Sequence, residues 1–396
     1  MASVESTGAL RALLIGNFMI GTGVLLPAGM LNDLSAGLDV TVATAGWLTV
    51  IGGLVVCFGA PIGAALTSRV DRRKLLAACL ALYCLGHAAS ALAPNFESLA
   101  VLRGVTVVAA ALFTPQAAAT AGLLVPPQRR AAAISFIFLG WSAASVLGIP
   151  LGTLIAAHLG WRTAYAVVAV FSALAFAVIW AAVPQGLRVE PLSAASWKRA
   201  VSNPVILCVL AVSLVSMSGQ FTLFSYTAPV LKSALDASPG TIALFFTLFG
   251  VAGVAGNYLA TRLIAPFGLD NAVLISLGSL ILGAVTVSLF FGAFAGMLAG
   301  LVIWGLGTFS TNSLQQSRLA TINLPLASAS IALNTSVLYL GQAVGAALGG
   351  TLVADGISAS VTWAAAGLLV GSALLSVLAT RLAARRAEAT TEPATP

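Results

Sequence analysis

The sequence predicts an all-α integral membrane protein with twelve transmembrane helices and both termini in the cytoplasm. Hydrophobic residues make up 59% of the 396 residues and charged residues only 7%, whereas water-soluble domains carry roughly one quarter charged residues. Twelve apolar runs are each long enough to cross a bilayer core, which takes about 20 helical residues. Basic residues fall almost entirely in alternate gaps between these runs, as expected of a chain threaded through a membrane.

The apolar runs are separated by short segments that carry charges and turn-forming residues, such as 68–74 and 125–130. The first run is too long for a secretory signal and is followed by others, so we expect it to be retained as the first span. The twelve spans are predicted to begin near Leu10, Ala43, Leu75, Ser98, Ala131, Thr163, Pro204, Thr241, Ala272, Phe294, Ser328 and Val361.

The orientation follows from the distribution of Lys and Arg. With the N-terminus inside, every Lys and Arg except Arg103, Arg162 and Lys232 falls on the cytoplasmic side, and the acidic residues show no such bias. The positive-inside rule predicts this asymmetry. The same rule accounts for the net charge of +7. A nucleic-acid partner is not expected, because few aromatic residues interleave with the basic clusters.

The longest polar interruption divides the spans into two sets of six. We predict an N-terminal six-helix bundle over 1–183, a cytoplasmic linker over 184–203, a C-terminal six-helix bundle over 204–380 and a cytoplasmic tail over 381–396. The sequence Gly-Thr-Leu-Ile-Ala at 152–156 is echoed by Gly-Thr-Leu-Val-Ala at 350–354. Such duplication is typical of secondary transporters, which bind substrate between the repeats.

Segment 66–74, between spans 2 and 3, resembles the G-x-L-x-D-R-x-G-R-R loop of the major facilitator superfamily. Ser68 stands where that family has Asp, and Asp71 where it has Gly. A charge cluster there would grip neighbouring helix ends and favour one state of a gate; alternatively, the loop only sets topology. The candidate gating residues are Arg69, Asp71, Arg72 and Arg73.

Arg103 is similar to the intramembrane Arg that the superfamily carries in span 4. An Arg at bilayer depth needs a partner or water, unless it snorkels to the interface. Asp33 follows span 1 on the same side of the membrane. We hypothesise that the two pair when the outer gate is closed and that protonation of Asp33 loosens it. The alternative is that Asp33 is an ordinary loop residue.

Span 5 carries a stripe of small residues and a proline. It resembles the Gly-Pro signature of the superfamily's antiporters, and its Gly-x-Pro-x-Gly form is similar to that of bacterial chloramphenicol exporters and arabinose-efflux-like permeases, a group of drug:proton antiporters. Small residues on one helix face let another helix approach closely, and a proline removes a helical hydrogen bond. The residues of this signature are Gly140, Gly148, Pro150 and Gly152.

The resemblance implies two bundles that rock about a central cavity lined by spans 1, 4, 7 and 10, with span 11 able to contribute. Amides, hydroxyls and aromatic rings dominate the polar positions there, which suits a neutral or mildly amphipathic solute. Each could instead serve only as an interhelical hydrogen bond. The candidate cavity residues are Asn17, Thr22, Gln116, Ser216, Gln220, Tyr226, Asn312, Gln315 and Asn334.

We therefore expect a monomeric transporter of the bacterial inner membrane that exports a small organic solute (drug-like, sugar or nucleoside-like) by proton-coupled antiport. Against carboxylate coupling, every acidic residue lies at a span edge or in a loop, and Gly23 and Val24 stand where related exporters carry a Glu after Gly-Thr. An uptake symporter or facilitated-diffusion carrier is the alternative.

A membrane-embedded enzyme is the remote alternative. The chain has two His and four Cys, and no metal-ligand spacing, nucleophile elbow or phosphate loop appears in it. We therefore expect no catalytic residues, no metal and no cofactor.

Overall fold

The computed structural model describes residues 2–188, 194–357 and 359–391. Within these ranges, twelve helices are long and apolar enough to cross a membrane, and each begins within a few residues of its predicted start, which confirms the predicted all-helical class. Spans 9 and 10 are separated by a short turn at 290–293. Spans 1 to 12 are Thr7–Gly29, Val42–Leu66, Arg72–Ala91, Phe96–Leu123, Pro127–Leu159, Trp161–Ala182, Pro204–Phe224, Pro239–Phe267, Leu269–Leu289, Phe294–Ile322, Ala327–Ala354 and Ser360–Arg385.

Several spans begin at residues that cap a helix well. The Asp71 carboxylate accepts from the Lys74 N–H at the start of span 3. Asn95 caps span 4, its side chain accepting from the Ser98 N–H at 3.0 Å. These side chains satisfy backbone donors that the first helical turn leaves unpaired.

The same corner occurs after span 1 and after span 7. A short helix, Leu31–Leu38 or Thr227–Leu235, follows each of these spans. Each short helix ends at an aspartate in the left-handed conformation, Asp39 (φ 53°) and Asp236 (φ 47°), and Thr41 and Ser238 then cap the next span. The repetition supports the duplication inferred from sequence; the exact bundle boundaries remain a prediction.

A further short helix, Ala194–Val201, lies inside the predicted linker. Residues 189–193, which include Glu190, and residues 392–396 of the predicted tail lie outside the described ranges. The last helix extends beyond the predicted end of the bundle at 380, over Ser360–Thr391.

We call the end of the bundle that carries loop 66–74 the basic face, and the opposite end the far face. The two halves pack through span 2 against span 11 and span 5 against span 8. A Cβ added to Gly53 would lie 2.7 Å from the Tyr339 carbonyl oxygen, and one added to Gly250 would lie 3.0 Å from Ser145. Glycine therefore lets the backbones of the two halves approach closely. We call these contacts, of span 2 with span 11 and of span 5 with span 8, the seam.

The seam between spans 2 and 11 lies toward the far face. Gly46, one turn into span 2, packs against the ring of Tyr226 from the other half. Closer to the basic face, Gly59 and Gly63 instead meet Ala111 and Leu112 of span 4, in their own half. The halves are therefore packed together at the far face.

Candidate functional site

A small cavity lies among spans 7, 10 and 11, with a volume of about 10 Å³, roughly the room that one water molecule takes. Hydroxyls and carboxamides provide its polar groups, and no charged side chain lines it among the described residues. The lining residues are Ser213, Ser216, Met217, Gln220, Thr311, Asn312, Gln315 and Leu338.

Helical spacing places these side chains together. On span 7, Ser213, Ser216 and Gln220 recur every three or four residues and so share one face, as do Thr311 and Gln315 on span 10. The cavity thus unites four of the predicted residues, since Ser216, Gln220, Asn312 and Gln315 all line it.

Several of these polar atoms are buried without a hydrogen-bond partner among the described residues. They include the Ser213 and Thr311 hydroxyls and both amide atoms of Gln315. Asn334 is in the same condition, with both amide atoms unpaired and the residue fully buried. It lies one helical turn before the cavity residue Leu338 on span 11. The C-terminal half therefore holds unused hydrogen-bonding capacity.

The polar residues of spans 1 and 4 are mostly paired with one another. The Asn17 amide donates to the Ile137 carbonyl at 3.2 Å and accepts from the Thr114 hydroxyl at 3.0 Å. The Trp141 indole N–H in turn donates to Thr114 at 3.2 Å. Thr22 is the exception, because its buried hydroxyl has no partner among the described residues and faces Gly148.

Two predicted cavity residues lie elsewhere. Gln116 accepts a hydrogen bond from Arg72, because that guanidinium is buried at the start of span 3 and turns toward span 4. Tyr226 lies in the corner after span 7, and its hydroxyl donates to the Ala346 carbonyl of span 11 at 2.9 Å. Neither residue contributes to the cavity lined by spans 7, 10 and 11.

Arg103 is buried and donates to backbone carbonyl oxygens: to Gly23 and Val24 at 2.7 Å each, and to Leu48 at 3.3 Å. Pro27 lies four residues after Gly23 within span 1 and has no N–H to offer the Gly23 carbonyl. Arg103 supplies that missing donor. The spacing of Gly23 and Pro27 is the sequence signal for this partner, which the predictions from sequence did not include.

The predicted pair of Asp33 and Arg103 is not formed; the guanidinium donates instead to backbone carbonyl oxygens. Ion pairs within the described part of the chain are Lys232–Asp236 at 2.6 Å and Arg318–Asp270 at 2.8 Å. Asp33 lies on helix Leu31–Leu38 beyond span 1. Burial raises the pKa of its carboxyl, and a backbone hydrogen bond opposes that shift.

Loop 66–74 forms a cluster of hydrogen bonds at the basic face. Arg72 is fully buried and donates to the Thr67 and Ser68 carbonyls at the end of span 2, at 3.0 and 2.6 Å. Asp71 caps span 3 and also accepts from the Gly186 N–H of the linker. The Arg73 guanidinium lies 4.7 Å from the Trp180 ring centroid of span 6, whereas Arg69 is exposed.

A related arrangement in the C-terminal half was not anticipated. Asp270 at the start of span 9 pairs with Arg318 of span 10, which also donates to the Ser376 and Thr380 hydroxyls of span 12. The sequence signal was an acidic residue, Asp270, in the first turn of span 9. Arg72 lies in the corresponding first turn of span 3. For Arg318 the sequence predicts only a position on the cytoplasmic side.

The small residues of span 5 pack along span 1. Added Cβ atoms on Gly140, Gly148 and Gly152 would meet Leu14, Thr22 and Leu26 respectively. One wide π-helical turn, Ala144–Gly148, precedes Pro150. A single wide turn of this kind is a common response to a lost helical hydrogen bond.

Twelve spans in two related halves and an uncharged polar cavity between helices define a membrane transporter of small solutes. Residues 13–322 match the profile of the Major Facilitator Superfamily. The chain belongs to that superfamily, whose members are transporters and not enzymes.

Relatives and solved structures extend this likeness over nearly the whole chain. The inner membrane transport protein YdhP of Escherichia coli K12 is 29% identical, over 93% of this chain and 94% of the relative. A protein of Mannheimia succiniciproducens named "Probable sugar efflux transporter" is 26% identical, over 84% and 83%. The crystal structure of a mutant of the nucleoside transporter NupG shares the fold, with a TM-score of 0.77 and 11% identity over 94% and 99% of the two chains.

Proposed function

We propose that this transporter exports a small, uncharged, hydrogen-bonding solute of the sugar or nucleoside kind across the bacterial inner membrane, in exchange for protons. The observation that carries the proposal is the cavity of spans 7, 10 and 11, whose polar lining consists of hydroxyls and carboxamides. Such a lining matches hydroxyl-bearing solutes, because each group can donate or accept a hydrogen bond. It offers a multiply charged solute no countercharge.

The names of related proteins favour the same class of solute. One relative is named a probable sugar efflux transporter, and one structure of the same fold is that of a nucleoside transporter. YdhP, named an inner membrane transport protein, supports the inner membrane as the location. The drug-like solutes of the antiporter group remain a broader option within the proposal.

The packing of the halves supports alternating access. With the predicted orientation, the far face points away from the cytoplasm, so the seam would close the outer side, as expected of an inward-facing state. Solute would enter from the cytoplasm and leave once the seam opens. In this scheme, protonation of the half-buried Asp33 at the outer end contributes the coupling.

The test is flux into everted membrane vesicles, whose cytoplasmic face points outward, with radiolabelled L-arabinose and uridine. We expect an acidic lumen to drive accumulation above that of vesicles lacking the protein, and we expect Asp33→Asn to reduce the response to the pH gradient. Uptake driven only by acid on the outside of right-side-out vesicles would support a symporter instead. Equilibration that ignores the gradient would support a facilitated carrier.

Transport assays with a drug-like cation distinguish the proposed uncharged, hydroxyl-bearing solutes from the broader option of drug-like solutes. Flux of a lipophilic cation such as tetraphenylphosphonium, with no flux of arabinose or uridine, would overturn the uncharged-solute proposal. Tetraphenylphosphonium is the matched contrast, because it carries a positive charge and no hydroxyl. The cavity lining offers it no countercharge, and the hydrogen-bonding groups of the lining would find no partner on it.

A further inference from the structure

We infer that the C-terminal half recognises the solute through hydrogen bonds, with Gln315 as the principal group and Asn334 as the second, while the paired carboxamides of spans 1 and 4, Asn17 and Gln116, are structural. The inference rests on the proposed function and adds to it which residues bind and which chemistry they select. It follows from a difference in pairing between the buried carboxamides of Gln315 and Asn334 and those of Asn17 and Gln116.

Gln315 lines the cavity and is fully buried, yet neither its amide oxygen nor its amide nitrogen has a partner among the described residues. Burying a polar group without a hydrogen bond costs free energy, and such groups are rare enough in folded proteins to need a reason. A ligand that completes these hydrogen bonds is such a reason. Asn334, near the cavity on span 11, has the same unpaired amide.

The carboxamides of spans 1 and 4 show the opposite condition. Asn17 uses its amide nitrogen on the Ile137 carbonyl and its oxygen on the Thr114 hydroxyl. Gln116 is engaged by Arg72. These carboxamides hold spans 1, 3, 4 and 5 together, so they have little capacity left for a solute.

The unpaired groups also define the chemistry of the ligand. A carboxamide offers a donor and an acceptor side by side, and the Ser213 and Thr311 hydroxyls add groups that can do either. The complementary solute presents neighbouring groups that both donate and accept, as the adjacent hydroxyls of a sugar or of a ribose ring do. A site built to hydrogen-bond hydroxyls rejects analogues that lack them, because its own polar groups would then stay unpaired.

The test measures stability and binding separately in two matched variants of the full chain. Gln315→Met replaces the unpaired carboxamide with an apolar side chain of similar length, and Asn17→Leu does the same to a paired one. Melting temperatures of purified protein in detergent are recorded alone and with L-arabinose, D-xylose or uridine, since a ligand raises the melting temperature of the protein that binds it.

We expect Gln315→Met to melt at the same or a higher temperature than wild type without solute, and to lose the solute-induced rise, with affinity falling about tenfold or more. We expect Asn17→Leu to melt lower without solute and to keep a rise of wild-type size. Asn334→Ala should weaken the rise without abolishing folding. Deoxy analogues of the active solute should fail to stabilise wild type.

Two results would overturn the inference by itself: Gln315→Met keeping the full solute-induced rise, or Asn17→Leu folding normally and losing it. The proposed function would survive both, because wild type would still bind. If none of the three solutes stabilises wild type and none is transported in vesicles, the proposed function fails and takes the inference with it. A low melting temperature of Gln315→Met without solute would show a structural role and also count against the inference.

Discussion

At Arg103, three carbonyl oxygens accept hydrogen bonds from a guanidinium that has no carboxylate partner among the described residues. One of them, on Gly23, lacks its usual helical donor because residue 27 is proline. The proline and the arginine therefore compensate for each other: one leaves an acceptor unpaired, and the other needs acceptors within the membrane.

This compensation predicts coupling between the two residues. Arg103→Met should destabilise the wild-type protein, since the Gly23 carbonyl would then be buried without a donor, and should cost less in a Pro27→Ala background, where residue 27 supplies an N–H. We expect a coupling free energy of about 1 kcal/mol, measured from the melting of the four proteins in detergent. Strictly additive effects would contradict it.

Asp33 gives a prediction for pH dependence. Burial raises the pKa of its carboxyl above the usual value of 3.8, so the folded state binds the proton more tightly than the unfolded state does. Stability from this group is then present at low pH and is lost as pH rises through the raised pKa. Asp33→Asn should raise the melting temperature at pH 7, and the advantage should vanish near pH 4. A variant that melts below wild type at pH 7 would show that the ionised carboxylate is stabilising.

At the scale of elements, loop 66–74 joins spans 2, 3, 4 and 6 through a few side chains. Arg72 reaches the end of span 2 and Gln116 of span 4, and Arg73 stacks on Trp180 of span 6. The basic cluster therefore holds helix ends together as well as placing positive charge on one side of the membrane.

The Gln116 carboxamide is the acceptor that this arrangement needs. Gln116→Leu should leave one Arg72 nitrogen buried without an acceptor and destabilise the protein by about 1–3 kcal/mol, seen as a lower melting temperature. Gln128→Leu, at an exposed residue in the first turn of span 5, is the matched control and should change little. Equal melting of Gln116→Leu and wild type would show that Arg72 finds another acceptor.

The number and placement of spans were predictable from sequence because the length of an apolar helix and the positions of charges are local properties of the chain. The close packing of Gly140, Gly148 and Gly152 on another helix was also readable, since small residues at helical spacing have few other causes. The partners of Gln116, Tyr226 and Arg103 were not. Each depends on which neighbouring helix presents an acceptor, and spacing along one helix carries no information about that.

At the scale of the whole molecule, the seam is the contact that the proposed alternating-access mechanism would break to open the far face. Its contacts between spans 2 and 11 depend on glycine, with the Gly53 backbone against Tyr339 and Ala343. A side chain at such a position cannot be accommodated in the closed arrangement without separating the spans. The opposite state would carry no such penalty.

Gly53→Leu should therefore shift the population toward the state that is open at the far face, because overpacking costs about 1–3 kcal/mol in the closed state only. Spin labels at the exposed positions Leu92 and Phe290, one in each half at the far face, would report the change as a longer interlabel distance. Gly278→Leu is the control, because no heavy atom lies within 4 Å of an added Cβ there. An unchanged interlabel distance in Gly53→Leu would contradict the expected separation of spans 2 and 11.

The chemistry of the seam has a consequence for how the molecule responds to its surroundings. The contacts described there join glycine, backbone carbonyl and tyrosine groups, and both ion pairs among the described residues lie within the C-terminal half. Dissolved electrolyte screens charges and leaves such uncharged contacts almost untouched. The balance between the inward-facing and outward-facing states should then stay nearly constant from low to high salt concentration. The protein would therefore work alike in cells that differ widely in salt content.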